Sequence, residues 1–123
     1  MRNLLLAFFI VFHSLPALAQ EKTVDKKFIF VSGFLVGSTI YDAETTRLAL
    51  KKCLPNCREG NPLMRPFVSR QPVLYAVQGA IDSGVLFWSY RLKKDNINGW
   101  WLLPVVVGAT HITAGSFNIR FIF

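Results

Sequence analysis

The chain has 123 residues, of which 52% are apolar and 17% charged, and its 14 Lys and Arg against 7 Asp and Glu give a formal charge of +7. An average soluble domain is about 45–50% apolar and about 25% charged, so this composition favours membrane insertion and excludes intrinsic disorder. The basic residues lie in short segments between apolar runs, and no nucleic-acid-reading motif accompanies them. We therefore expect no nucleic acid partner and interpret the charge as a determinant of membrane topology.

Residues 1–19 have the pattern of an export signal. Arg2 gives a positive start, residues 4–12 form a short apolar core, and small residues precede Gln20 at the place where a signal peptidase cuts. A retained segment would instead act as a short membrane anchor, although its apolar core is short for a span. We expect cleavage, which leaves a single domain over residues 20–123.

Three longer apolar segments follow, at about residues 28–50, 72–90 and 99–118. A helix that crosses a bilayer needs about 20 mostly apolar residues. The second and third segments qualify, the second with Asp82 as its one charge, and the first qualifies if Asp42 is tolerated. None of them alternates with a period of two over most of its length, so helices are favoured over strands. The sequence predicts an all-α fold, a small transmembrane bundle of three helices after the signal peptide.

The numbers of Lys and Arg on the two sides of this bundle are nearly equal, so they do not decide its orientation. Residues 47–70 together with Arg120 carry seven Lys and Arg, and the opposite side carries six. A cleaved signal leaves the new N-terminus outside, which places the 47–70 loop inside after one crossing. The expected location is the bacterial inner (cytoplasmic) membrane, with the lipid bilayer as the first partner.

Polar residues within the three segments recur three or four positions apart, so each helix has one polar stripe. A charge near the bilayer centre costs at least about 2.5 kcal/mol, and such groups face a protein interior or a water-filled cavity. The predicted intramembrane seam consists of Asp42, Thr45, Thr46, Gln78, Asp82, His111 and Asn118. Matching depths across the helices predict contact of Asp42 with Gln78 or Asn118. They also predict a pair between Asp82 and His111.

The two cysteines, Cys53 and Cys57, are separated by three residues, whereas a thioredoxin-like pair is separated by two. A zinc site needs about four ligands, and the histidines available are His13 in the signal and His111 in the third segment. We therefore expect no metal and no cofactor. A disulfide between the cysteines is expected if their loop faces outside, and reduced thiols if it faces inside.

The sequence contains no nucleophile with its base, no phosphate-binding loop and no metal cluster. We expect no enzymatic activity and no catalytic residues. The favoured role is a structural or interaction component, partnered by a second copy or by another membrane protein. Asp42, Asp82 and His111 motivate an alternative, a proton- or ion-handling oligomer that uses an intramembrane Asp/His pair. A third class, a secreted soluble or lipid-binding module, would be released from membranes by carbonate.

A family resemblance rests on four short motifs. Asp42-Ala43-Glu44-Thr45-Thr46 lies at the end of the first helix, Asn61-Pro62-Leu63-Met64-Arg65-Pro66 forms a turn, Leu74-Tyr75-Ala76-Val77 opens the second helix, and Phe117-Asn118 lies near the end of the last helix. The chain resembles a group of small uncharacterised bacterial integral membrane proteins with a helix-terminal Asp-x-x-Thr-Thr and an Asn-Pro-Leu turn. It departs from them in having Phe117 where His is usual, in the Cys53 to Cys57 insertion and in the export signal. The resemblance implies the membrane fold and leaves the function open.

Overall fold

The computed structural model describes residues 23–123, and the predicted export signal at residues 1–19 lies outside this range. Within the described residues the chain forms three α-helices and no strand. These are α1 (Lys26–Cys53), α2 (Gln71–Lys94) and α3 (Leu102–Ile119). The prediction of an all-α fold with three helices is confirmed.

Local sequence accounts for where α1 and α2 begin and end. The side chain of Asp25 accepts a 2.8 Å hydrogen bond from the backbone N–H of Phe28 and so caps the start of α1. Leu54 ends the helix in an extended conformation, as expected for a residue that precedes a proline. Pro72 lies in the first turn of α2, where its missing N–H removes no helical hydrogen bond.

The third helix begins three residues later than the sequence predicts. Gly99 and Trp100 form a turn, in which the backbone N–H of Leu102 donates to the carbonyl of Gly99 at 3.0 Å. The hydroxyl of Ser89 on α2 donates to the carbonyl of Trp100 at 2.6 Å. Trp100 therefore closes the connection between α2 and α3 and lies outside the helix.

The two helices α1 and α3 pack against each other far more extensively than either packs against α2. Two glycines of α3 allow this approach. A Cβ added at Gly108 would lie 2.6 Å from Cε1 of Phe34, and one added at Gly115 would lie 2.5 Å from Cε1 of Tyr41. Small residues at a helix interface let the backbones come close, and here they receive aromatic rings from α1.

Seven polar side chains are buried in the described bundle beside the apolar Phe28, Leu35, Ala43, Ala49 and Leu74, and many large apolar side chains lie on its surface. Phe30 is 77% exposed, Trp88 is 62% exposed and Val106 is 56% exposed. The buried polar residues are Ser38, Thr39, Thr45, Thr46, Gln78, Asp82 and Ser89. The apolar side chains of this bundle therefore lie mainly on its outer surface.

By length and composition, α3 is the one helix of residues 23–123 that is apolar enough to cross a membrane, and 17% of it is buried. The polar and charged residues of α1 and α2 lower their mean hydropathy. Composition therefore supports a membrane crossing for α3, while the crossing of α1 and α2 stays a prediction.

Candidate functional site

The centre of the candidate site is a pair between Asp42 on α1 and His111 on α3. Oδ2 of Asp42 lies 2.7 Å from Nδ1 of His111. The two side chains are 13% and 19% exposed, so the pair is largely enclosed between the helices. Gly108 and Gly115 lie one turn of α3 to either side of His111, and the close approach that they permit brings the imidazole to the carboxylate.

Asn118 extends this pair into a network. Its Nδ2 donates to Oγ1 of Thr46 at 2.8 Å and lies 3.4 Å from Oγ1 of Thr45 and 3.5 Å from Oδ1 of Asp42. The hydroxyl of Thr46 donates in turn to Oδ1 of Asp42 at 3.4 Å. We use the name polar seam for Asp42, Thr45, Thr46, His111 and Asn118, which together join α1 to α3.

The predicted contact between Asp42 and Asn118 is present, but the predicted partner of His111 is wrong. His111 pairs with Asp42 because α3 packs along α1 and only weakly against α2. Asp82 lies within electrostatic range of His111 without a hydrogen bond to it. Asp82 is 6% exposed, and its Oδ1 has no hydrogen-bond partner among the described residues.

A cavity of about 180 Å³ opens beside the polar seam at the end of the bundle where α1 meets the 54–70 loop. Gln78 of α2 contributes to its wall, and no hydrogen bond joins Gln78 to Asp42 across it. We call this space the loop-end cavity. Its lining residues are Asp42, Thr46, Glu59, Asn61, Met64, Val68, Leu74, Gln78, Ile81, His111, Ala114 and Asn118.

The loop contributes Glu59 and Asn61 to this cavity through a hydrogen-bonded turn. The backbone N–H of Asn61 donates to Oε1 of Glu59 at 3.0 Å, and Oδ1 of Asn61 accepts from the backbone N–H of Leu63 at 3.1 Å. This second bond closes a local turn of the kind that an Asn side chain favours. Sequence reasoning placed Asn61 and Pro62 in a turn but missed Glu59. The sequence feature that could have indicated Glu59 is its position, an acidic residue two places before Asn61 in a loop rich in basic residues.

A disulfide joins Cys53 to Cys57, with 5.3 Å between their Cα atoms. It closes the turn that follows α1 and ends two residues before Glu59. Of the two states left open by the sequence, the structure has the bonded one. The bond therefore fixes the start of the loop that supplies Glu59 to the cavity.

No known relative is found. Comparison with known proteins returns no matching family, no matching curated protein and no matching solved structure. The resemblance to small bacterial membrane proteins stays a prediction. Its four motifs do meet at one place, because Asp42, Asn61, Leu74 and Asn118 all line the loop-end cavity.

Glu44 lies away from this site and ties α1 to α2. Its Oε2 forms a 2.7 Å ion pair with Arg47, the partner that the three-residue spacing indicates. Its Oε1 accepts a hydrogen bond from the hydroxyl of Tyr75 on α2. Glu44 is therefore a cross-linking residue between helices rather than a member of the polar seam.

The chemistry that the site offers is acid–base and hydrogen-bonding chemistry. In the part of the chain that the structure describes, no three His, Cys, Asp or Glu side chains are grouped so as to hold a metal ion. The Asp42–His111 pair combines a carboxylate that accepts hydrogen bonds with an imidazole whose ring nitrogens can donate or accept them. Next to it, the loop-end cavity is lined by the acidic residues Asp42 and Glu59 and by Asn61, Gln78 and Asn118, which carry amide side chains.

Proposed function

We propose that this chain is an integral membrane protein that acts as a structural or interaction component rather than as an enzyme. The observation that carries the proposal is the inverted burial, with polar side chains inside the bundle and large apolar side chains such as Phe30, Trp88 and Val106 outside. In water this arrangement would expose a large apolar surface, whereas a bilayer solvates it. The polar seam then holds α1 to α3 where the surrounding lipid provides no hydrophobic force between helices.

The hydroxyl groups on the outer surface also support a lipid environment around the bundle. Ser83 donates to the carbonyl of Gly79 at 2.7 Å, and Thr113 donates to the carbonyl of Ala109 at 2.9 Å. Both side chains belong to exposed residues, yet each hydroxyl bonds to its own helix. A hydroxyl surrounded by lipid finds its partner in this way, because no water is present to serve as one.

Membrane integration is tested by extraction. We expect the protein to stay in the membrane pellet after a carbonate wash and to need detergent for solubility, with a helical circular dichroism spectrum in micelles. Release by carbonate, or free solubility without detergent, would contradict the proposal and favour a secreted or lipid-binding module.

The interaction role is tested on the detergent-solubilised protein by size-exclusion chromatography with light scattering. We expect self-association or copurification with another membrane protein. A strict monomer that copurifies with nothing would count against this role while leaving membrane integration intact.

The disulfide supports an orientation opposite to that expected from the export signal. Disulfides persist in oxidising compartments, so the Cys53–Cys57 bond supports an orientation with the 54–70 loop on the outer side of the bacterial inner membrane. This orientation puts the side with six Lys and Arg inside and the side with seven outside, so it rests on the disulfide and not on the preference for positive charge inside. In intact cells, a membrane-impermeant reductant followed by an impermeant maleimide is expected to label both cysteines. Labelling only after the cells are opened would restore the inside orientation.

A second candidate function is proton or ion handling, favoured by the 2.7 Å Asp42–His111 contact beside the loop-end cavity. Its test is pH-driven ion flux in liposomes that contain the wild type, Asp42→Asn or His111→Gln. This candidate predicts flux in the wild type and its loss in both variants, with the exposed Asp95→Asn as a matched control. Absent flux, or flux that both variants retain, would remove it.

A further inference from the structure

The loop end of the bundle carries a group of exposed basic residues. Because α1 ends, α2 begins and α3 ends on this side, the basic residues at those three helix ends and in the 54–70 loop lie at one end of the molecule. The ammonium of Lys52 donates to the backbone carbonyl of Ile122, so the end of α1 adjoins the segment that follows α3. We call this group the basic surface. Its members, all exposed, are Lys51, Lys52, Arg58, Arg65, Arg70 and Arg120.

The protein supplies little negative charge to balance the basic surface. Within residues 23–123, none of its members forms an ion pair with a carboxylate. Lys52 and Arg65 donate instead to backbone carbonyls, those of Ile122 and Glu59. Glu59 is the one acidic residue of the 54–70 loop. The basic surface therefore attracts anions, which its own chain does not provide.

Large apolar side chains are exposed beside these charges. Leu54 is 62% exposed, Leu63 is 78% exposed and Phe121 is 54% exposed. Leu63 precedes Arg65 by two residues, and Phe121 follows Arg120 directly. A water-soluble acidic partner would leave such side chains in water, whereas the interface of a bilayer accepts apolar side chains next to cationic ones. The combination therefore favours a lipid surface over a nucleic acid or an acidic protein.

The basic surface also borders the apolar exterior of the bundle. In the last turn of α3, Phe117 is 51% exposed and Ile119 is 38% exposed. Arg120 follows them as the C-cap, and its guanidinium lies 4.7 Å from the centroid of the Phe117 ring. With acyl chains around the apolar exterior, the phosphates of the same lipids lie at the level of the helix ends. The basic surface is therefore at the depth of phospholipid headgroups.

We propose that the basic surface binds the phosphate groups of anionic phospholipids such as phosphatidylglycerol. The guanidinium groups of Arg58, Arg65 and Arg70 form charge-assisted hydrogen bonds with phosphate oxygens, while Leu54 and Leu63 enter the apolar layer beneath. An anionic lipid is preferred over phosphatidylcholine, because phosphatidylcholine carries its own ammonium next to its phosphate. This inference rests on the proposed membrane integration and names the lipid class that the loop end selects.

The test is electron paramagnetic resonance of the full-length protein in phosphatidylcholine vesicles that contain a trace of spin-labelled lipid. Lipid in contact with the protein gives a motionally restricted component. We expect labelled phosphatidylglycerol to be preferred at least about fivefold over labelled phosphatidylcholine, the factor that corresponds to ~1 kcal/mol for one basic residue near the surface. In about 1 M salt, which shortens the screening length to about 3 Å, this preference is expected to disappear.

A triple variant localises the preference. Lys51→Gln, Arg58→Gln and Arg70→Gln together remove three charges from side chains that form no hydrogen bond within the described residues, so the fold is retained. We expect the preference for phosphatidylglycerol to fall at least about fivefold. The variant with Lys51→Arg, Arg58→Lys and Arg70→Lys keeps the charges and should keep the preference. Circular dichroism of each sample establishes that the helices are intact.

The matched control removes three charges from the opposite end of the bundle. It carries Lys26→Gln, Lys27→Gln and Arg91→Gln, all at exposed residues. Asp25 and Asp95 already offset positive charge at that end. The control is therefore expected to lower the preference by less than about twofold.

Four results would overturn the proposal. They are equal restricted fractions for the two labelled lipids, a preference that salt leaves unchanged, equal losses in the triple variant and its control, and loss of the preference when an equimolar polyglutamate peptide is added. The last result would assign the basic surface to an acidic protein. Failure of membrane integration is distinguishable, because neither labelled lipid would then give a restricted component and carbonate would release the protein.

Discussion

The two ends of the bundle bring charged groups together in different ways. Where α1 begins, Lys93 forms an ion pair with Asp25, and its Nζ lies 4.4 Å from the ring centroid of Trp100. Phe28 packs against Trp100 and completes an aromatic cluster under the same ammonium, which lies 5.7 Å from the Phe28 centroid. At the loop end, the carboxylates and the amide of Gln78 surround a cavity instead.

This contrast teaches that the chain satisfies the acidic and aromatic groups at one end with its own ammonium and leaves a cavity beside the polar seam at the other. Lys93 is 13% exposed at the side chain and satisfies the acid and the rings near it. At the loop end, no described basic residue reaches the carboxylate of Glu59. The first end therefore joins the helices through filled contacts, whereas the second joins them through the polar seam beside an open cavity. The following predictions test this division, beginning with the largest expected effect.

Gly115→Leu is expected to separate α1 from α3 and to disrupt the loop end. Its first added carbon would already lie 2.5 Å from the Tyr41 ring, and such overpacking costs about 3 kcal/mol of unfolding free energy. The measurement is a denaturant titration in micelles followed by circular dichroism. Gly79→Leu is the matched control, since a Cβ there meets nothing within 4 Å. Equal destabilisation by the two variants would contradict the close α1–α3 contact.

Asp42→Ala is expected to lower the unfolding free energy by about 2 kcal/mol, because it removes an acceptor that serves His111, Thr46 and Asn118. A double-mutant cycle with His111→Ala isolates the pair, and we expect a coupling of about 1 kcal/mol. Zero coupling would mean that the pair adds nothing to the contact between α1 and α3.

Lys93→Met is expected to cost about 1 kcal/mol through the loss of the cation–π contacts, while the hydrocarbon stem is kept. Its cost should add to that of Asp42→Ala in the double variant, because the two sites lie at opposite ends of the bundle. Costs that do not add would show that the ends are coupled and would break the comparison.

The smallest effect concerns pH at the aromatic end. The hydrogen bond from Lys93, followed by that from the backbone N–H of Phe28, holds the pKa of Asp25 below its ordinary value of 3.8. A lowered folded-state pKa gives stability that is present above pH 3.8 and is lost as the pH falls through the folded-state value. The unfolding free energy of wild type should therefore exceed that of Asp25→Asn near neutral pH, and this difference should disappear below about pH 4. A difference that persists unchanged into stronger acid would contradict this assignment.

The positions of the helices could be predicted from the sequence, because continuous apolar segments and prolines near their ends depend on local physics. Spacings of three and four residues placed Asp42, His111 and Asn118 on the polar stripes of their helices. The pairing of His111 could not be predicted, because it depends on which two helices touch. Gly108 and Gly115 allow α3 to pack closely on α1, because each receives an aromatic ring from α1. The residue pattern of one helix does not reveal this fit.

The cavity was also beyond the reach of periodicity. Glu59 and Met64 belong to an irregular loop, so no helical spacing connects them to the polar seam. The turn at Asn61 and Pro62 was recognisable from its residue types, but not the direction in which it places Glu59. The unpartnered oxygen of Gln78 depends on all three helices and the loop together, so only the folded structure shows it.

Spin-label accessibility tests most directly the central claim that lipid surrounds an apolar exterior. Single cysteines replace Phe87 and Val106 on the outer surface and Arg58 in the loop, while the native cysteines stay in their disulfide and remain unlabelled. Labels at Phe87 and Val106 should collide more often with dissolved oxygen than with a polar nickel chelate, and the label at Arg58 should show the reverse. Preferential collision with the chelate at all three positions would contradict the account.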